Sequence, residues 1–384
     1  MVEESVVTEG TEGEPRTYTK LIIFLLVVVL GLLYLYYVLS KPMQPLVTPR
    51  LKGYTHVLSI YGAGADRLYR PTEVAVGKDG KIFVADTMKH RIMVFDRNGR
   101  FLTKFGKKGK GKGEIEFPSA ITVDDNGRVY VISYNLSKLI IYNQRYKPYW
   151  EITFPGLGPL SATVKGKRLY ITTRAGIMIG DLKGNLLTTL SRGGSRKGEV
   201  NRPTGIAVDN RGNIYLADSM NYRIEALDKK GKPLWVVGAP PKTGPGKPLE
   251  EVERTRQFGL PVSLTLGPDG NLYVMDAFAG EILILDKKGK ILGKVGDWGQ
   301  EDGQFYYPAG ITSAGGDRFV VADKFNDRVQ VVRIPSPTAG AVLPFAQWAF
   351  NPYVIALLIL AIITVLTWMW YRRWKRQRAQ EESA

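Results

Sequence analysis

Residues 70–106 read RPTEVAVGKDGKIFVADTMKHRIMVFDRNGRFLTKFG, and residues 202–238 read RPTGIAVDNRGNIYLADSMNYRIEALDKKGKPLWVVG. The two segments keep one register: a proline, a short strand, an Asp/Asn–Gly turn, a β-rich strand ending in Ala-Asp, a polar loop and another strand. A third copy starts at Leu260, weaker copies start at Pro118 and Pro159, and a truncated one starts at Pro308. Prolines 71, 118, 159, 203, 261 and 308 are 47, 41, 44, 58 and 47 residues apart, and each interval suits one four-stranded propeller blade. Runs such as KIFVAD, RIMVFD, NIYLAD and EILILD combine β-branched and aromatic residues between turn signals. Gly80, Gly127 and Gly270 sit where tight hairpins need positive φ. The first strands, TEVAV, SAITV and TGIAV, use small residues where strands must crowd around an axis. A helical alternative fails for want of a 3.6-residue period.

Two patterns, P-x-G-I-A-V-D and G-x-I-Y-V-A-D-x-x-N-x-R-I, recur in this register, and in them the chain resembles the NHL-repeat family over roughly residues 54–334. The resemblance implies an all-β, six-bladed β-propeller. The second and third repeats depart from it, with ISYNLSKLI and TTRAGIMI in place of ADxxNxRI. The sixth repeat stops near Val332 after three strands. Its fourth strand is expected from HVLSIYG at 56–62, so that an N-terminal strand closes the ring and removes open sheet edges.

The flanks read differently. Residues 1–20 form an acidic tail with Glu3, Glu4, Glu9, Glu12 and Glu14. Residues 21–39 and 353–371 are each nineteen residues without a charge, close to the roughly 30 Å of a hydrocarbon core. They are expected as two transmembrane α-helices, the first an uncleaved signal anchor. Linkers 40–53 and 335–352 are proline-rich and expected to act as semi-rigid spacers. The tail 372–384 opens RRWKRQR, which places both termini in the cytoplasm and the propeller outside, at a cell membrane.

Cysteine is absent, which excludes disulfides, thiolate metal sites and thiol nucleophiles. Two histidines, His56 and His90, leave little for imidazole chemistry, and His90 is expected on the surface. The net charge of +17 belongs wholly to the region between the tails, because residues 1–20 and 371–384 cancel at −3 and +3. A surplus of that size attracts anionic material.

If the strands of each blade are named a to d from the axis outward, the d–a and b–c connections share one rim and the short a–b and c–d turns share the other. The long d–a connections GKKGKGKGEIEF and SRGGSRKGEVNR make the first rim the expected functional face. Lys107, Lys108, Lys110 and Lys112, with Arg192, Arg196 and Lys197, are the candidate anion or partner site, weighed against a simple solvated-loop role. A 239–258 insertion is a candidate lid or spacer, and Asn135–Leu136–Ser137 reads as a chance sequon. Asp86, Asp218, Asp276 and Asp323 recur at one blade position and could form a calcium ring. The favoured role is structural: each orders its own b–c loop, and Arg91, Arg223 and Arg328, five residues on, pair with the aspartates or nearby carbonyls.

The expected function is a non-enzymatic binding, scaffold or sensing module with no cofactor, whose partner is a protein or anionic polymer outside the membrane. The family resemblance leaves two alternatives. A metal-dependent lyase or lactonase would need channel ligands that the histidine count does not supply. A nucleic-acid-binding propeller would need a cytoplasmic location, so nucleic acid is the less expected partner.

Overall fold

Six antiparallel four-stranded sheets carry the repeat in the computed structural model, which describes residues 48–174, 176–240, 257–337 and 352–381, with isolated positions between 24 and 31. Blade 1 comprises Pro71–Val76, Ile82–Asp86, Arg91–Phe95 and Phe101–Phe105 as strands a to d. The inner strands of blades 2 to 5 are Pro118–Val123, Pro159–Lys165, Pro203–Val208 and Pro261–Leu266. In those blades and in blade 1 the register shifts between the leading proline and the residue two further on, a bulge that accommodates a residue with no N–H to donate.

Blade 6 closes the ring as the sequence indicated. Its strands a to c are Gly310–Ser313, Arg318–Asp323 and Arg328–Arg333, and its outer strand is β1, Thr55–Ile60. Thr55 pairs with Arg333, so the chain enters and leaves the propeller on the short-turn rim. Just before β1, Pro49–Leu51 lies along the outer strand of blade 5, Ile291–Val295: Leu51 N–H donates to the Lys294 carbonyl and Lys294 N–H to the Pro49 carbonyl, at 3.0 and 2.9 Å.

The core is divided among the blade–blade interfaces. Val84, Met93 and Phe95 of blade 1 face Val320, Ala322 and Val329 of blade 6, with Ile60 of β1 completing the layer. The other faces of the same strands, Phe83, Ile92 and Val94, meet Val129, Val131 and Ile140 of blade 2. Both faces of every middle strand are therefore buried, which explains why the b and c strands are nearly continuous apolar runs.

A second compact unit includes the C-terminal helix α1, Pro352–Glu381. Among the described residues no helix is long and apolar enough to cross a membrane, so the expected pair of flanking transmembrane helices is not found there. The side chains described in α1 begin at residue 363 and include the cations Arg372, Arg373, Lys375, Arg376 and Arg378. Residues 21–39, the other expected span, lie largely outside the described residues, as do the acidic tail and most of the 239–258 insertion.

Candidate functional site

Three d–a connections on the loop rim are built alike. Residues 107–118, 192–203 and 297–308 align as x-x-G-x-x-x-G-(E/Q)-Φ-x-x-P, where Φ is apolar. In each, two short segments pair in parallel: Lys108 with Ile115, Arg192–Gly193 with Glu199–Val200, and Asp297–Trp298 with Gln304–Phe305. The Glu or Gln side chain then accepts a loop N–H, from Gly111 to Glu114, from Arg196 to Glu199 and from Glu301 to Gln304. Gly109, Gly194 and Gly299 have φ near +155°, and a Cβ there would lie about 2.0 Å from that same side chain. These loops are ordered structures and not solvated tethers.

Arginine clamps hold the second and third of them. Arg223 Nε donates to Asp218 at 2.8 Å, while its remaining N–H groups reach the carbonyls of Ser195, Arg196 and Glu199 and the buried Glu225. Arg328 repeats this on Asp323 and the carbonyls of Glu301 and Gln304. Arg91 pairs with Asp86 and with Asp66 of the shorter 61–70 loop. Asp86, Asp218 and Asp323 each also accept a backbone N–H from the residue 17 positions earlier. Burial pushes all three carboxyls above the usual range despite the guanidinium. Glu281 stands where three other repeats have arginine, and among the described residues Asp276 has no arginine partner. It accepts N–H groups from Gly259, Leu260, Phe278 and Ala279. Asp86, Asp218 and Asp323 thus take their backbone N–H from the preceding d–a loop and not from the b–c loop they were expected to order, whereas Asp276 takes N–H groups from both. Among the described residues no group of three or more His, Asp or Glu is placed to hold a metal ion.

The seven basic candidates lie on two separate d–a loops. Lys107, Lys108, Lys110 and Lys112 sit between blades 1 and 2, and Arg192, Arg196 and Lys197 between blades 3 and 4. Lys107 is tied to Glu114 at 3.0 Å and Arg192 to Glu199 at 2.8 Å. Among the described residues no carboxylate pairs with the other five, which are exposed. The third loop reverses the charge with Asp297, Glu301 and Asp302, so the rim is polarised rather than uniformly basic. His90 is buried, not on the surface: its Nδ1 accepts the Phe117 N–H at 3.1 Å, and burial followed by Lys108 lowers its pKa.

Two features of this region escaped the sequence. The first is an exposed aromatic cluster at the junction of blades 5, 6 and 1. Trp298 lies 4.5 Å from Tyr307, Tyr307 packs at 5.3 Å on Phe325 and 6.0 Å on Phe278, and Arg70 stacks over Phe325 at 4.8 Å. Its only trace in the sequence is that the second residue after each repeat aspartate is Met88, Met220, Phe278 or Phe325. The second feature is Glu73, which lines an axial channel of about 250 Å³. The matching positions on the other inner strands are Ala120, Ser161, Gly205, Ser263 and Gly310, each paired with the corresponding middle strand as Glu73 pairs with Ala85. Five small residues leave room for one carboxyl, which burial pushes up to about 8 while the Val74 N–H opposes the shift.

The fold and the repeat define this protein as a six-bladed β-propeller containing NHL repeat sequence. A family model described as a 6-bladed beta-propeller matches residues 69–170, and the NHL repeat model matches residues 200–226. Among curated proteins, Protein brain tumor of Drosophila melanogaster is 28% identical over 180 residues, 46% of this chain and 13% of that protein. A probable peptidyl-alpha-hydroxyglycine alpha-amidating lyase of Caenorhabditis elegans is 26% identical over 132 residues, 33% of this chain and 36% of that protein. The chain thus spans well under half the length of either relative. Among solved structures, a streptogramin B lyase superposes with a TM-score of 0.52 at 15% identity, covering 73% of this chain and 98% of the other, a likeness of fold alone.

Proposed function

We propose that this propeller is a non-enzymatic binding module, held at the cell membrane by residues 21–39 and 353–371, that offers its loop rim to a protein or anionic polymer outside the membrane. The observation that carries this proposal is the exposed aromatic cluster with Arg70, on the same rim as two ordered basic loops. Aromatic side chains and arginine supply much contact area for little ordering entropy, and they dominate binding hot spots. Preorganised loops reduce that cost further.

The amidating lyase relative and the lone carboxyl of Glu73 favour a second possibility, acid–base chemistry in the channel. Glu73 is the one carboxyl and Lys165 the one lysine among the residues lining the channel, and among the described residues no group of three or more His, Asp or Glu is placed to hold a metal ion there.

The test is a pair of measurements on the full chain. A Lys108→Cys variant should react with an impermeant maleimide in intact cells, and a Gln380→Cys variant should not. Replacing Lys108, Lys110, Arg196 and Lys197 by glutamate should weaken salt-sensitive retention on a polyanionic matrix, and Trp298→Ala should weaken partner recovery. Reversed labelling would overturn the location, and undiminished retention would overturn the role of the loops.

A further inference from the structure

The rim opposite the loops carries the larger organised charge. The a–b and c–d turns occupy residues 77–81, 96–100, 124–128, 143–147, 165–168, 181–185, 209–213, 228–232, 267–271, 286–290 and 314–318. They hold nineteen lysines and arginines against ten aspartates, a surplus of nine. More than half of the net +17 therefore lies on the rim where the chain enters and leaves. The turns are rigid: Asp96, Asp228 and Asp286 each accept two backbone N–H groups from their own turn. Lys229, Lys230, Lys232, Lys287, Lys288 and Lys290 are exposed around them.

Immediately after three of these turns, the outer strands begin with exposed apolar pairs. Phe101 and Leu102 are 45% and 47% exposed, Tyr149 and Trp150 55% and 53%, and Leu186 and Leu187 57% and 56%. Trp150 lies at turn level, because its indole nitrogen would be 3.7 Å from a Cβ on Gly184 in the neighbouring c–d turn. On blade 5 the equivalent Ile291 and Leu292 are partly buried, with Leu51 among the apolar residues packed nearby. The pairs on blades 1 to 3 have no such cover among the described residues.

We infer that this short-turn rim seats on an anionic phospholipid surface, with the turn lysines and arginines against the headgroups and the three apolar pairs entering the interface. A protein–protein interface places apolar groups at its centre and charge at its margin. Here the two are interleaved, since each apolar pair follows a c–d turn and the c–d turns carry seven of the nine surplus charges. A polyanion in solution would satisfy the charge but leave the apolar pairs in water. A bilayer satisfies both, since basic residues are drawn to its surface potential and Trp, Tyr and Leu enter the interfacial layer. The domain then lies against the membrane instead of standing off it, and the loop rim stays free for a partner.

The test uses the full chain, which has no native cysteine. Lys230→Cys and Lys108→Cys variants carry a fluorophore and are placed in nanodiscs containing nitroxide-labelled lipid, either neutral or roughly one-third phosphatidylglycerol. Quenching at position 230 should exceed that at position 108 by about threefold or more, grow with phosphatidylglycerol and fall with salt, as screening by counterions requires. Glutamates at Lys229, Lys232, Lys287 and Lys288 should remove the lipid dependence, and a Trp150→Ser/Leu187→Ser variant should reduce the quenching. Equal quenching at the two positions, or none that responds to phosphatidylglycerol, would overturn the inference. An unchanged Trp150→Ser/Leu187→Ser variant would overturn it in favour of a soluble polyanion. Failure of the chain to enter nanodiscs would instead refute the anchors, and the same labels would then be read with added vesicles of the two compositions.

Discussion

Replacing Glu73 by glutamine keeps the shape of the side chain in the axial channel and removes its ability to ionise. In the fold its carboxyl titrates at about 8, against an ordinary value of 4.5. Below 4.5 both folded and unfolded chains hold the proton, and the stabilising effect of burying a neutral acid is fully present. As pH rises from 4.5 to 8 the unfolded chain releases the proton while the native channel retains it, so stability falls through that window. The full gap corresponds to at most about 5 kcal/mol. Because the carboxyl faces a channel rather than a sealed core, about 2–3 kcal/mol is expected. Urea unfolding of wild-type and Glu73→Gln chains in detergent, followed by near-ultraviolet circular dichroism between pH 5 and pH 8, isolates this contribution. Asp86, Asp218, Asp323 and Glu225 are also raised by burial, but they are common to both proteins and cancel in the difference. The variant should differ little at pH 5 and be more stable by the stated amount at pH 8. A difference that does not change with pH would refute the placement of an unpaired carboxyl on the axis.

Arg223→Met should cost about 3–5 kcal/mol in thermal or urea unfolding, because it leaves Asp218 and Glu225 buried without a cation. It should also open residues 192–199 to proteolysis. An unchanged melting temperature would show that the clamp does not hold the loop. Gly310→Ala places a Cβ 2.8 Å from the Cα of Glu73 and Gly205→Ala one 2.9 Å from the Cα of Ser263, so each should lose about 1–3 kcal/mol through overpacking. Neutral melts for both would mean that the inner strands are not closely apposed. Deleting residues 55–60 exposes the edge of Arg328–Arg333 and one side of the blade 6–blade 1 core, and should yield aggregated protein by light scattering. A monodisperse deletion variant would contradict closure by β1.

The sequence by itself determined the blade count, the phase of the repeat, the closing strand and the two rims. These follow from patterns within one repeat, namely proline, turn glycine and strand, and from the ring that six such repeats must close. It singled out Asp86, Asp218, Asp276 and Asp323, but a local Asx motif describes only Asp276, because the other three accept their backbone N–H from a loop 17 residues earlier. Only the tertiary structure decided that Arg223 and Arg328 clamp the loop preceding their own blade, since that contact joins segments 24 to 28 residues apart. It likewise decided that Phe278, Trp298, Tyr307, Phe325 and Arg70 form one surface. Glu73 escaped the sequence reading, although it is the one large residue among the matching inner-strand positions Ala120, Ser161, Gly205, Ser263 and Gly310. Its raised pKa was not legible there, because the low-dielectric channel that causes it exists only after six inner strands converge on one axis.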